Sequence, residues 1–185
     1  MHRATALLLG LAACAAQDPR VPDLEKRLAA VEAELADVKT RVRSKNEVAE
    51  EAIVGKEAKF EITEWMQGET SLAEGKATLL VFWEVWCPHC KKEVPELEKT
   101  YQELKGQGLN IVGLTRLTRN TTPEQLHTFL AENHVTYPIA RDDGKMGDHY
   151  AVSGVPAAAL VKDGKIVWRG HPASLNRNML LASIE

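Results

Sequence analysis

The sequence predicts a single α/β domain carried behind one long N-terminal helix. Every aromatic residue lies between Phe60 and Trp168, and every glycine except Gly10 lies at or after Gly55, so a core can be built only from about Gly55 onward. Beyond that point near-continuous apolar runs at 77–83 and 109–114 alternate with helix-forming stretches, as in strands buried on both faces and joined through helices. Residues 23–54 contain no Gly, Pro or aromatic residue and are dominated by Ala, Glu, Lys, Arg and Leu, which favours one long helix. A chain of 185 residues has room for about one domain plus this extension, and its net charge of -3 announces no basic face for nucleic acid.

The chain opens with Met1-His2-Arg3 and an apolar run over 4–13 centred on Leu7-Leu8-Leu9. A basic start followed by so short an apolar run cannot span a bilayer and reads as an export signal over 1–13. A buried N-terminal helix would need a partner surface before the core begins. The run ends in Leu11-Ala12-Ala13-Cys14, which resembles the lipobox of bacterial lipoproteins. The resemblance implies cleavage before Cys14 and acyl chains on it, with simple secretion as the alternative. Several acyl chains would hold the protein at a membrane, on the periplasmic side of the cell envelope. With Cys14 lipidated, Cys87 and Cys90 remain as one close pair in an oxidising compartment, with no further Cys for a structural framework.

Residues 19–51 are expected to form a coiled-coil helix, with Pro22 in its first turn. Val21, Leu24, Leu28, Val31, Leu35, Val38 and Val42 alternate steps of three and four, which places Val21, Leu28, Leu35 and Val42 at a and the others at d. In that register Arg20 with Glu25, Arg27 with Glu32, and Glu34 with Lys39 become g-to-e pairs of opposite sign between parallel neighbours. Residues 21–42 are therefore expected to make a homo-oligomer. Leu at a with a β-branched residue at d leans towards three or four strands. A solvated charged face on a lone helix is the alternative. The stripe fades over 43–51, and Gly55 offers a helix stop.

The domain spans 55–185. A first strand is expected at 60–63 and a turn at Gly68-Glu69-Thr70, ahead of a central strand at 77–83 and a helix over 88–106. A second buried strand follows at 109–114, then a helix capped by Thr122 with Pro123 at its first position. A brief strand at 137–140, a short helix at 145–151, a hairpin of 157–161 with 166–168 turning at Asp163-Gly164, and a last helix over 174–184 complete the order.

This order of elements resembles the TlpA/ResA group of thioredoxin-like proteins, and so do the run from Val81 through Trp86-Cys87-Pro88-His89-Cys90-Lys91-Lys92-Glu93-Val94-Pro95 and the later Gly154-Val155-Pro156. The likeness covers roughly 55–184. It is specific because a Trp-Cys-x-x-Cys at a strand-to-helix junction, a helix Pro and a Val-Pro before a late strand all agree, where a lone Cys-x-x-Cys would be weak. It implies a thioredoxin fold, a mixed central sheet flanked by helices, and an oxidoreductase that exchanges disulfides with protein thiols and is served by a redox partner protein. No cofactor is implied, since the dithiol is itself the redox group.

Disulfide exchange needs an exposed thiolate nucleophile. Cys87 is expected where a helix begins, with the positive end of the helix dipole and unpaired N–H groups favouring a charged sulfur, and Pro88 fits that first turn without losing a needed donor. Cys90, at i+3 on the same face, lies within disulfide-closing range and can resolve a mixed disulfide at Cys87. His89 adds a donor or positive charge and Trp86 a surface for substrate; both, with Pro88 and Val155, are expected to touch substrate.

By resemblance Pro156 follows a cis peptide bond opposite the dithiol, and its loop exposes the backbone of Val155 to an extended substrate segment. Glu93 matches an acidic position of the family, one turn below Cys90, where it would relay a proton; a solvated helix Glu is the bland reading. Pro95 would kink the helix. Glu84 is the clearest departure, because the family usually has a small residue there. Val81 stands where thioredoxins carry a buried Asp. The direction of electron flow stays open: Pro88-His89 matches the oxidising DsbA proteins, whereas the likeness and Glu93 point to reduction.

Zinc would need four ligands, and no second Cys pair or close His pair is present, so no metal is expected. His127, His134, His149 and His171 read as surface or structural residues. An oligomeric binding or assembly lipoprotein with an incidental dithiol is the alternative function. A thiol peroxidase ranks behind it, because the Pro-x-x-x-Thr-x-x-Cys arrangement of peroxiredoxins is missing.

Overall fold

The computed structural model describes residues 21–185. The export segment, Cys14 and Arg20 lie outside the described residues. Contacts divide the chain into a unit ending at Lys45 and a compact unit Asn46–Glu185.

The helix α1 runs unbroken over Val21–Glu51, with Asp23 acidic in its first turn, as the helix dipole favours. All seven a and d residues, Val21 to Val42, are exposed, from 36 to 61 %. Among the described residues no helix is long and apolar enough to cross a membrane.

The compact unit is a six-stranded mixed sheet in the order β1-β4-β3-β2-β5-β6. Its strands are β1 (Trp65–Gln67), β2 (Ala77–Phe82), β3 (Leu109–Thr115), β4 (Ile139–Arg141), β5 (Ala157–Lys162) and β6 (Lys165–Gly170). Strand β2 pairs parallel with β3 and antiparallel with β5, and β3 pairs parallel with β4; β1 and β6 close the two edges antiparallel. The helices are α2 (Pro88–Leu104), α3 (Pro123–Glu132), α4 (Lys145–His149) and α5 (Arg177–Ile184).

Alternation along β2 builds both cores. Leu79, Val81 and Trp83 face one layer with Cys90, Val94 and Leu97 of α2, Leu126 and Leu130 of α3 and Leu180 of α5. Leu80 and Phe82 face the other, with Ile53, Met146 and Tyr150. Both faces are covered, which is why β2 and β3 read as continuous apolar runs. Gly113 is required in β3, since a Cβ there would lie 2.6 Å from Ile139 Cδ1 and 2.9 Å from Trp83 Nε1.

Several element bounds differ from the sequence expectation, each for a local reason. The first strand is Trp65–Gln67 rather than 60–63. Phe60 and Ile62 alternate like strand residues, but they pack as irregular backbone against the second core. The fourth strand begins at Ile139, after Pro138, which has no N–H to give a ladder. Helix α4 stops at His149, ahead of Ala151 with its left-handed φ of 51°. The last helix starts at Arg177, capped by the Asn176 side chain, which accepts from Met179 N at 3.0 Å; a 3₁₀ turn takes Pro172–Ser174 instead. Thr122 caps α3 with a full capping box through Gln125. The hairpin turn holds Asp163 and Gly164 at φ 51° and 73°, the both-positive geometry that favours tight hairpins.

Candidate active site

Strand β2 ends at Phe82, and a tight turn in which Cys87 N donates to Glu84 O at 3.1 Å delivers the chain into α2. Cys87 is the N-cap of α2, in extended backbone, and its sulfur accepts from Cys90 N at 3.5 Å. Pro88 occupies the first helical turn, where a missing N–H loses nothing. The helix N-terminus thus gives the Cys87 sulfur the Cys90 N–H, one of the groups a helix start leaves unpaired.

Both cysteines are free thiols and both are buried, Cys87 4 % and Cys90 0 % exposed, but only Cys87 lines the adjoining cavity. The Cys90 thiol is pushed far above the usual thiol range, chiefly by burial, then by its hydrogen bond with Cys87. The charges of Cys87 and Glu84 add to this, and the Glu84 backbone opposes it.

The loop before β5 closes the site from the other side. The Val155–Pro156 peptide bond is cis, and the Cys87 thiol donates to the Val155 carbonyl at 3.6 Å. Pro156 is buried, whereas Ser153 and Gly154 are exposed. A cavity of about 470 Å³ opens between this loop and the start of α2, lined by Trp86, Cys87, Pro88, His89 and Val155 among others.

Trp86, Cys87, Pro88, His89 and Val155 are thereby brought to one surface, with Cys90 directly beneath and Pro156 behind. Glu93 is half-buried on α2 and does not line the cavity; Glu84 does. Glu84 is 4 % exposed, and its two carboxylate oxygens accept from Arg116 N and Thr118 N, each at 3.2 Å. From sequence alone Glu84 stood out as a departure that could bear on substrate choice or on the Cys87 thiol. Arg116, Thr118, Asp142 and Asp148 also line the cavity and were not singled out. They come from the loop after β3, the turn before α4 and α4 itself, and no spacing signal places those segments beside Cys87.

The loop after β3 is tied to the dithiol turn at further points. Trp86 Nε1 donates to Thr118 Oγ1 at 2.9 Å, and the Arg119 guanidinium stacks 3.6 Å over the Trp86 ring. Behind the site, Glu98 of α2 accepts from Thr136 N at 2.8 Å, Thr136 Oγ1 at 2.7 Å and Tyr137 N at 3.4 Å. Burial alone would raise the pKa of this carboxyl; the bonds from Thr136 N–H, Gln102, the Thr136 hydroxyl and Tyr137 N–H outweigh it and hold the pKa below the ordinary carboxylate range. Among the described residues no group of His, Cys, Asp and Glu could hold a metal ion.

The arrangement suits thiol-disulfide exchange: a nucleophile at a helix start, a shielded second thiol, and a peptide loop beside them. Known proteins agree. The chain is 32 % identical over 119 residues to the thiol-disulfide oxidoreductase ResA of Bacillus cereus, covering 62 % of this chain and 67 % of that protein. StoA of Bacillus subtilis superposes with a TM-score of 0.55 at 25 % identity, over 69 % of this chain and 99 % of that one. A Chlorobium tepidum structure described as a thiol:disulfide interchange protein, DsbE, superposes with a TM-score of 0.62 over 71 % of this chain and 98 % of that one; at 23 % identity it shows the shared thioredoxin-like fold. The model of the AhpC/TSA family matches residues 54–169, so the chain belongs to that thioredoxin-like family, on its branch of ResA-type thiol-disulfide oxidoreductases.

Proposed function

We propose that this thiol-disulfide oxidoreductase works at the outer face of a membrane, anchored by lipid on Cys14, and exchanges disulfides with extended segments of other proteins. The observation that carries the exchange reading is the placement of Cys87 at the start of α2, with Cys90 one turn on and the Val155 carbonyl against its sulfur. In the reducing direction the Cys87 thiolate attacks one sulfur of a substrate disulfide. A Cys87–substrate bond forms, the substrate S–S bond breaks, and the other substrate sulfur leaves as a thiolate and takes a proton. Cys90 then loses its proton and attacks Cys87 Sγ, forming the Cys87–Cys90 disulfide and releasing the second substrate thiol. Two electrons pass to the substrate, and a redox partner protein restores the dithiol. The oxidising direction is the same sequence reversed.

The Val155 backbone, on the loop that faces Cys87, is the surface for an extended substrate segment, with Trp86, Pro88 and His89 as its rim. Pro156 fixes that loop. Glu93 remains the candidate relay for the Cys90 proton, placed on the same helix one turn on. Replacing Cys87 by Ser tests the reading: turnover of a disulfide substrate should fall to background, and unchanged turnover would overturn it.

The exposed stripe of α1 supports self-association through 21–42, with opposite charges at e and g favouring parallel chains. Lipid on each chain of such an assembly would multiply the membrane hold. The family model carries the AhpC/TSA description, yet Cys87 is not preceded by the Pro-x-x-x-Thr-x-x spacing of a peroxidase, which favours exchange over peroxide chemistry.

A further inference from the structure

We infer that Arg169 is the positioning residue of the substrate loop: its buried guanidinium ties the entry of loop 150–156 to the sheet, and its pairing with Glu50 makes the last turn of α1 part of that support. This rests on the exchange function proposed above, in which the loop offers the Val155 backbone to an extended substrate segment, and deepens it.

The loop is anchored unevenly. At its far end Ala157 enters β5 and pairs with Phe82 of β2, so the sheet holds it. At its near end the N–H groups of Tyr150, Ala151 and Val152 all return to α4, and Ala151 takes a left-handed φ of 51°, which a residue with a Cβ adopts only where its surroundings enforce it. Arg169 of β6 supplies the tie to the sheet: its Nε donates to Tyr150 O at 2.8 Å and its Nη2 to Ala151 O at 3.2 Å. Its Nη1 donates to Gly170 O at 3.0 Å and to Ala158 O at 3.4 Å, on the strands themselves. One planar group thus spans from the start of the loop to the strand at its end. Val155, whose carbonyl meets the Cys87 thiol, lies between these two anchors.

The Arg169 side chain is 2 % exposed, and among the described residues its ion-pair partner is Glu50, at 3.3 Å. Glu50 is carried by a docked segment: Ile53 is buried in the second core, and Gly55 N donates to Ile166 O at 2.7 Å. A buried cation is costly, and an apolar side chain of similar size would fill the same space without that cost. It would also leave the carbonyls of Tyr150 and Ala151 without these donors. What the guanidinium adds is therefore the setting of the loop. A lysine would keep the charge, but its single nitrogen cannot fork between the loop and the strands.

The test compares two reagents on the same thiol of the reduced, full-length protein. Dithiobis(nitrobenzoate) needs only Cys87, whereas an extended peptide whose one Cys carries the same nitrothiobenzoate group needs the loop as well. In both reactions the Cys87 thiolate bonds to a reagent sulfur and nitrothiobenzoate leaves as the coloured thiolate, so the ratio of the two second-order rate constants cancels any change in the thiol itself. Arg169→Met and Arg169→Lys should each lower the peptide-to-reagent ratio by about fivefold or more, a loss of peptide contact that general destabilisation would not mimic. Glu50→Ala should lower it in the same direction by about twofold or more. A smaller fall in a folded Arg169 variant would overturn the inference, and an unchanged ratio in Glu50→Ala would remove α1 from the support. Should neither Arg169 variant fold, Glu50→Ala decides the whole, since that side chain is 29 % exposed and its loss leaves the core filled. A parent protein whose ratio is the same folded and unfolded in urea would refute the substrate role of the loop instead.

Discussion

The two cysteines share a turn of helix but not an environment. Cys87 borders the cavity, while Cys90 lies under it with its thiol pushed far above the usual range, by burial first and then by the hydrogen bond with Cys87. A thiol held above its ordinary range stays protonated, and so unreactive, through neutral and mildly alkaline pH. Iodoacetamide at pH 7–9 should therefore label Cys87 first, with Cys90 slower by about a hundredfold, as peptide mass spectrometry would show. Since burial is the largest cause, Cys90 should remain slow in Cys87→Ser. Equal rates would refute the asymmetry. Cys87, Cys90 and Pro156 could all be singled out from the sequence, because each belongs to a short motif at a fixed offset. Glu84 could be seen as unusual but not interpreted, because its partners Arg116 and Thr118 reach it only through the parallel pairing of β2 with β3.

At the scale of elements, helix α2 has to be held in place if Cys87 is to keep its aim, and Glu98 does this from within the helix. Its carboxylate binds the Thr136 N–H and hydroxyl and the Tyr137 N–H, fastening α2 to the segment that leads into β4. A carboxyl held below its ordinary range contributes stability that is present above that range and is lost as pH falls through the lowered value. Glu98→Gln should thus be less stable than the parent by about 1–3 kcal/mol at neutral pH. The difference should close from about pH 4.5 downward as Glu98 protonates in the parent, which urea unfolding at several pH values would read. A gap that stays constant into acid would contradict this role. Central strands β2 and β3 were legible because both faces are buried and the apolar run is unbroken. Edge strand β1 was not, because the alternation of Phe60 and Ile62 reflects packing beneath the sheet rather than pairing in it. The cap at Asn176 was equally local, but Ser174, two residues earlier, is also a cap former, and it lies in the 3₁₀ turn instead.

At the scale of the whole molecule, α1 carries seven exposed apolar residues on one stripe, and the register gives that stripe complementary flanking charges. Replacing Leu28 and Leu35, 59 and 50 % exposed, by Asp should leave the catalytic unit folded and reduce the mass of the detergent-solubilised protein to that of a monomer. A parent protein that is already monomeric at micromolar concentration would end the assembly proposal. The catalytic claim stands apart from it, because every group that surrounds the cysteines lies within Asn46–Glu185.

That claim is tested most directly by arresting exchange halfway. With Cys90→Ser the resolving thiol is gone, so a disulfide-bearing protein substrate should accumulate as a mixed disulfide on Cys87, released by dithiothreitol and absent from the Cys87→Ser protein. No covalent adduct on Cys87, under conditions where the parent pair cycles between dithiol and disulfide, would contradict it.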